Sequence, residues 1–152
     1  MKTIKNNAEN ILTINNSKFI CNLYKVYSYD EVLKYLELTK KKYKDATRYC
    51  YGYTIDKNIK ASDDNEPSGT AGTPIKEVLT KNNLNYILCI VTRYFGGIKL
   101  GASGLIRAYT KSLTLALKED NIANIVKGTK MTITFPYNIS KEIDYILKNE
   151  NY

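Results

Sequence analysis

The sequence has no histidine among its 152 residues. That removes Ser–His and Cys–His nucleophile pairs, histidine-ligated zinc and imidazole acid–base catalysis. Cysteine is scarce, and Cys21, Cys50 and Cys89 form no C-x-x-C pair. An odd number of cysteines, each inside an apolar or aromatic stretch, reads as buried reduced thiols in a cytosolic protein. Long apolar runs are missing too. The longest, Tyr86 to Val91, falls far short of a bilayer span, and no charged-then-apolar leader opens the chain. A secreted or membrane-embedded protein is not expected.

One further absence is local. From Lys76 to Lys118 the single acid Glu77 stands against Lys76, Lys81, Arg93, Lys99, Arg107, Lys111 and Lys118, seven bases less one acid, a net +6. The whole chain carries +8, so the remainder is nearly balanced. A concentrated basic segment suits a partner with phosphates, nucleic acid or an anionic surface. A composition rich in Lys, Asn, Ile and Tyr accounts for part of the lysine excess. With 43% apolar and 25% charged residues the chain has the balance of a globular domain. Its length is enough to bury roughly 70% of the unfolded surface without a disulfide or metal staple.

The patterning predicts alternating strands and helices. Ile11–Ile14 and Phe19–Val26 read as a hairpin around Asn15, Asn16 and Ser17. Ser28 with Glu31 is a capping box that opens a helix to about Tyr43, and the lysines Lys40–Lys44 sit at its dipole-negative end. Thr47–Ile55 reads as a strand with Tyr49, Tyr51 and Tyr53 on one face, a core face under a helix or a base-stacking platform. Lys57–Gly72 has no period and reads as a long loop. Thr73 and Pro74 then look like the N-cap and first turn of a helix. Tyr86–Phe95 reads as a central strand buried on both faces. After a glycine turn, Leu105, Tyr109, Leu113 and Leu117 line the inner face of a helix, with Arg107, Lys111 and Lys118 on another. Beyond Gly128, Lys130–Phe135 reads as a strand and Ser140–Leu147 as a helix, the start of a second domain.

Two stretches are candidates for chemistry. Ser62–Pro74 (SDDNEPSGTAGTP) places Asp63, Asp64 and Glu66 within four positions, as ligands to a hard cation or as a turn-forming loop. No EF-hand spacing is present, and Gly69 and Gly72 lead into a helix start suited to an anion. Thr92–Tyr109 (TRYFGGIKLGASGLIRAY) has the strand–glycine turn–helix order of a phosphate loop, yet matches neither the Walker nor the dinucleotide pattern. Gly96, Gly97, Gly101 and Gly104 either serve tight packing or, with Arg93, Lys99, Arg107 and Lys111, contact an anion. Tyr94 and Phe95 are candidate stacking residues, one of which must point to the core.

These two motifs together resemble the signature of the YigZ/IMPACT family, with the likeness running from about Phe19 to Ile125. Asn65 stands where a glycine is usual, Ser103 where a glycine is usual, and Arg48 where a histidine is common. The loop residues Asp63, Asp64, Glu66, Ser68, Gly69, Thr70 and Gly72 are of the family type. The resemblance implies an α/β (α+β) two-layer sandwich similar to domain IV of elongation factor G and to a ribosomal-protein domain, over residues 1–127. It also implies that 128–152 begin a truncated ferredoxin-like domain. Eukaryotic members of the family act in translational control. The expectation is a cytoplasmic, non-enzymatic module without a cofactor or resident metal that binds RNA, a ribosome or a translation-related protein. The alternatives are a metal-dependent enzyme on a phosphorylated or nucleotide substrate, with Asp63, Asp64 and Glu66 in the site, and a protein-interaction domain.

Overall fold

The computed structural model describes residues 1–150. A short strand β1 (Lys2–Ile4) is followed by β2 (Ala8–Ile14) and β3 (Ser17–Lys25). Asn15 and Asn16 join the latter two with φ of 46° and 63°, the left-handed pair that a two-residue hairpin turn needs and that asparagine tolerates. Helix α1 (Tyr29–Lys42) starts as read: the Ser28 hydroxyl accepts the Glu31 N–H at 3.3 Å. Strand β4 (Arg48–Ile55) follows.

The supposed loop from Lys57 then departs from expectation. Asp56 and Lys57 form a second left-handed turn, and Asn58–Ser62 is a strand, β5, paired with β4. Its lysine and alanine, exposed at the sheet edge, show no apolar alternation, so the sequence hides it. Helices α2 (Gly72–Lys81) and α3 (Gly101–Ala116) flank strand β6 (Ile87–Tyr94). The sheet order is β2-β3-β6-β4-β5, antiparallel throughout, with β6 at its centre as its continuous apolar run predicts. β7 (Ile122–Asn124) pairs with β1 in a separate ribbon; both are too short to carry a period.

The layers follow from alternation along β6. Cys89 and Val91 face α2 and α3, in the large core with Phe19, Cys21, Cys50, Ile75, Leu79, Tyr109 and Leu113. Leu88 and Ile90 face α1, in a smaller cluster with Val26 and Val32, flanked by Tyr51 and Tyr53. Tyr51 and Tyr53 of β4 therefore belong to a core face. Helix α3 lies close on the sheet because small residues, Ala108, Ser112 and Ala116, alternate with large inward ones, Leu105, Tyr109 and Leu113. Each of the large side chains contributes roughly 1.5–3 kcal/mol by leaving water.

The carboxyl-terminal stretch holds one correction. Ser140–Asn149 is a helix, α4, as expected, but Lys130–Phe135 forms no strand. Alternation alone does not make one; a strand exists only through a neighbour's N–H and C=O groups, and no other strand among the described residues borders this stretch.

Candidate nucleic-acid interface

The acidic loop is turned inward. Oδ1 of Asp63 accepts the N–H groups of Ala71 and Gly72 at 3.1 and 2.7 Å, and Oδ2 accepts that of Gly69 at 3.0 Å. Thr73 is thus not the N-cap of α2; a carboxylate from the loop before it caps the helix instead, and the first helical residue is Gly72. Burial pushes the Asp63 carboxyl up, but the three backbone donors outweigh it and hold it below the ordinary value. The neighbouring Asp64 accepts the Tyr49 N–H at 2.7 Å. Asn65 adopts φ 65°, the left-handed conformation a glycine would supply there. Thr70 is buried and donates its hydroxyl to the Pro67 carbonyl at 2.6 Å, while Ser68 is exposed.

A folded-state carboxyl held low contributes stability that is complete above its unfolded value of about 3.9 and is lost as pH falls below it. Asp63→Asn should accordingly melt well below the parent at pH 7, with the cap worth about 1–2 kcal/mol. The gap should narrow as the pH falls below that value, and thermal melts at pH 7 and at acidic pH check it. An equal gap at both pH values would mean that the charge of Asp63 plays no part.

Glu66 holds the two motifs together. Its Oε1 accepts Nη1 of Arg93 at 2.6 Å and the Tyr109 hydroxyl at 2.8 Å. The side chains of Arg93 and Glu66 are only 7% and 5% exposed. The Arg93 guanidinium also lies over the rings of Phe19 and Phe95, each 5.5 Å to the centroid, and Phe19 meets Tyr109 edge-on. The expectation that Arg93 contacts an anion on the surface is therefore corrected: a strand flanked on both sides buries it, and a buried guanidinium takes the nearest carboxylate. Nor do Asp63, Asp64 and Glu66 converge. Each serves different donors, and no group of three ligating side chains is gathered among the described residues.

The cysteines lie in the same core. Cys50 donates to the Asp63 carbonyl at 3.0 Å and lies 3.3 Å from the Tyr109 hydroxyl. Burial pushes its thiol up to about 12, and burial raises Cys89 as well, so at neutral pH neither is a thiolate nucleophile. All three thiols are free and buried.

The remaining basic residues are on the surface. Lys99 stands in the turn before α3, and Arg107 and Lys111 lie one helical turn apart on its solvent face, with Lys118 just past its end. The N-terminus of α3 has neither a side-chain cap nor an acid in its first turn, unlike α1, capped by Ser28, and α2, capped by Asp63. Gly97 and Gly101 have φ of 89° and 72° with open space around them, and a Cβ on Gly104 would meet only the Leu100 side chain, at 3.0 Å. Gly96 is different, because a Cβ there would meet the backbone of Asn16 and Ser17. Tyr94 and Phe95 point to opposite faces, but neither enters the core; Tyr94 reaches the Lys44 carbonyl and Phe95 is 46% exposed.

Sequence reasoning missed Tyr109 as part of this arrangement. Tyr109 was legible only as an inward helix position. Arg93 carried its own signal, a charge ending an apolar central strand, which calls for a buried carboxylate.

The antiparallel sheet carries α2 and α3 on one face and α1 on the other, and its two glycine-bearing loops are joined through a buried Glu–Arg–Tyr cluster. Residues 15–117 match the family described as the Impact N-terminal domain, and the chain belongs to the IMPACT family. It is 48% identical over 118 residues to the IMPACT family member YvyE of Bacillus subtilis, covering 76% of this chain and 54% of that protein. It is 29% identical over 139 residues to the IMPACT family member YigZ of Escherichia coli, covering 88% of this chain and 68% of that one. A solved structure described as the crystal structure of a hypothetical protein superimposes with a TM-score of 0.74 at 28% identity, covering 78% of this chain and 60% of that chain. The chain thus spans about half the length of the Bacillus relative. No helix among the described residues is long and apolar enough to cross a membrane.

Proposed function

We propose that this chain is a non-enzymatic module that binds RNA in the control of translation, through the turn at Lys99 and the solvent face of α3. The carrying observation is the exposed row Lys99, Arg107, Lys111 and Lys118 beside a helix N-terminus left uncapped and free of acids. Unsatisfied N–H groups and a positive dipole end favour phosphate there, and the lysines and arginine add charge along one track. Family membership supports the translational setting. The catalytic alternative has less to stand on, since the three carboxylates are engaged in holding the loop and the Cys50 and Cys89 thiols are held protonated by burial. An acidic docking epitope is likewise poorly supported by carboxylates that face inward.

If four side chains each neutralise a phosphate, log K should fall with log salt at a slope of about −2.8 to −3.6. Fluorescence anisotropy with a labelled RNA at several salt concentrations measures it. Lys99→Ala/Arg107→Ala should weaken binding at all sequences and reduce the slope by about 1.4 to 1.8. Salt-insensitive binding, or none at low salt, sinks the reading.

A further inference from the structure

Resting on the RNA reading above, we propose that the strand held at this end of the sheet is single, with one unpaired base laid on Phe95 and its phosphate on the Arg48 guanidinium. Phe95 is 46% exposed, whereas Phe19 on the same face is fully buried. Its exposure does not come from a loose chain. The Phe95 N–H donates to the Thr47 hydroxyl at 2.9 Å and the Gly96 N–H to the Ser17 hydroxyl at 3.2 Å. Two neighbouring segments therefore hold the backbone at the end of β6. Arg93 backs the ring at 5.5 Å and is itself held by Glu66, so the ring is presented at a set angle over a fixed cation. A pre-oriented aromatic gives stacking area at little cost in conformational freedom. Ile98, 48% exposed on the following turn, adds an apolar flank.

Arg48 supplies the charge. It lies directly opposite Arg93 in the β4–β6 ladder, on the face that Phe95 shares. Two arginines side by side would ordinarily draw two carboxylates, but only Arg93 has one. Arg48 makes no ion pair among the described residues; its Nη1 donates to the Thr47 carbonyl, and its Nε is buried without a partner. The Nε of Arg93, in a side chain 7% exposed, is also without one. The acids nearby are engaged, Asp64 with the Tyr49 N–H and Glu66 with Arg93 and Tyr109. A guanidinium left with free donors beside an exposed aromatic ring fits a nucleotide, whose phosphate and base are joined by one sugar. In a duplex the base faces are already stacked, so Phe95 selects for an unpaired one. Stacking reads no base edges, so little sequence preference accompanies it.

The test compares a labelled 12-nucleotide single-stranded RNA with a blunt duplex of the same sequence, by anisotropy at fixed salt. The parent should bind the single strand more tightly. Phe95→Leu keeps an apolar side chain at a half-exposed position, and an unchanged melt confirms its fold. It should weaken single-strand binding by at least about fivefold and leave the duplex unchanged. The chain contains no tryptophan, so Phe95→Trp places a single indole at the site, and its fluorescence should be quenched by the single strand alone. Arg48→Gln should lower the single-strand salt slope by about 0.7. Equal affinity for both strands, an unaffected Phe95→Leu, or an unquenched indole overturns the proposal. If Lys99→Ala/Arg107→Ala still weakens binding and lowers the salt slope in that case, the basic-face reading stands and only the stacking fails. If the parent binds neither RNA, both fail. A blue shift of the indole on anionic vesicles in place of RNA quenching would assign this tip to a lipid surface and overturn it as well.

Discussion

Arg93→Leu should cost about 3–5 kcal/mol of stability, a fall of roughly 10–20 °C in melting temperature. The reason lies in what the substitution leaves behind. Glu66 would remain buried with its charge uncompensated and only the Tyr109 hydroxyl to bond it, and removing one member of a buried pair is far worse than removing both. The rings of Phe19 and Phe95 would also lose the planar cation between them. Because the pair joins the loop before α2 to the end of β6, its loss should release the loop from the sheet. The double variant Glu66→Leu/Arg93→Leu separates charge from packing: it should be more stable than the sum of the single losses by at least about 1 kcal/mol. Denaturant unfolding of the parent, both single variants and the double one gives the coupling directly. Additive losses would show that Arg93 and Glu66 act independently, and the staple would have to be abandoned.

Gly96→Ala should be nearly as damaging, at about 3 kcal/mol or more. A Cβ at this position would fall 2.0 Å from the Asn16 carbonyl carbon, 2.1 Å from its oxygen and 2.5 Å from the Ser17 nitrogen. All three are backbone atoms of the β2–β3 turn, so no rotamer change relieves the overlap, and the turn or the end of β6 must shift. Gly97→Ala is the control. Its Cβ would enter open space, and the only strain is φ 89°, which costs about 1–2 kcal/mol. The contrast also separates two readings of the glycine turn. An anion cradle predicts that both substitutions weaken RNA binding in a folded protein. Close packing predicts that Gly96→Ala unfolds the end of the sheet while Gly97→Ala folds. Equal, small losses at both would remove the packing role of Gly96.

The arrangement divides this turn between two tasks. Arg93 and Gly96 anchor it from below, Arg93 to the acidic loop and Gly96 to the first hairpin. Lys99, Gly97, Gly101 and the helix start remain outward. Stability rests on the first group and the proposed RNA contact on the second, although the motif runs them together in one line of sequence.

Most of the fold was legible because local patterns report local structure. The left-handed asparagines of the first hairpin, the Ser28 cap, the apolar run of β6 and the four-residue steps of α3 each leave a mark within a few positions. β5 left none, since an exposed edge strand has little to bury. β1 and β7 were too short to show a period. Lys130–Phe135 alternated without a neighbour to pair with. The site divides along the same boundary. The sequence alone determined the family, the helices, the central strand and the basic row along α3, because periodicity and charge are properties of neighbours in the chain. Only the tertiary structure decided that Asp63 caps α2, that Arg93 is withdrawn from the surface by Glu66 and Tyr109, and that Phe95 and Arg48 share a face. Those roles depend on contacts across 27 positions for Glu66 and Arg93 and 43 for Glu66 and Tyr109. Whether a charged side chain binds a ligand or holds the core is set by what the folded chain brings against it.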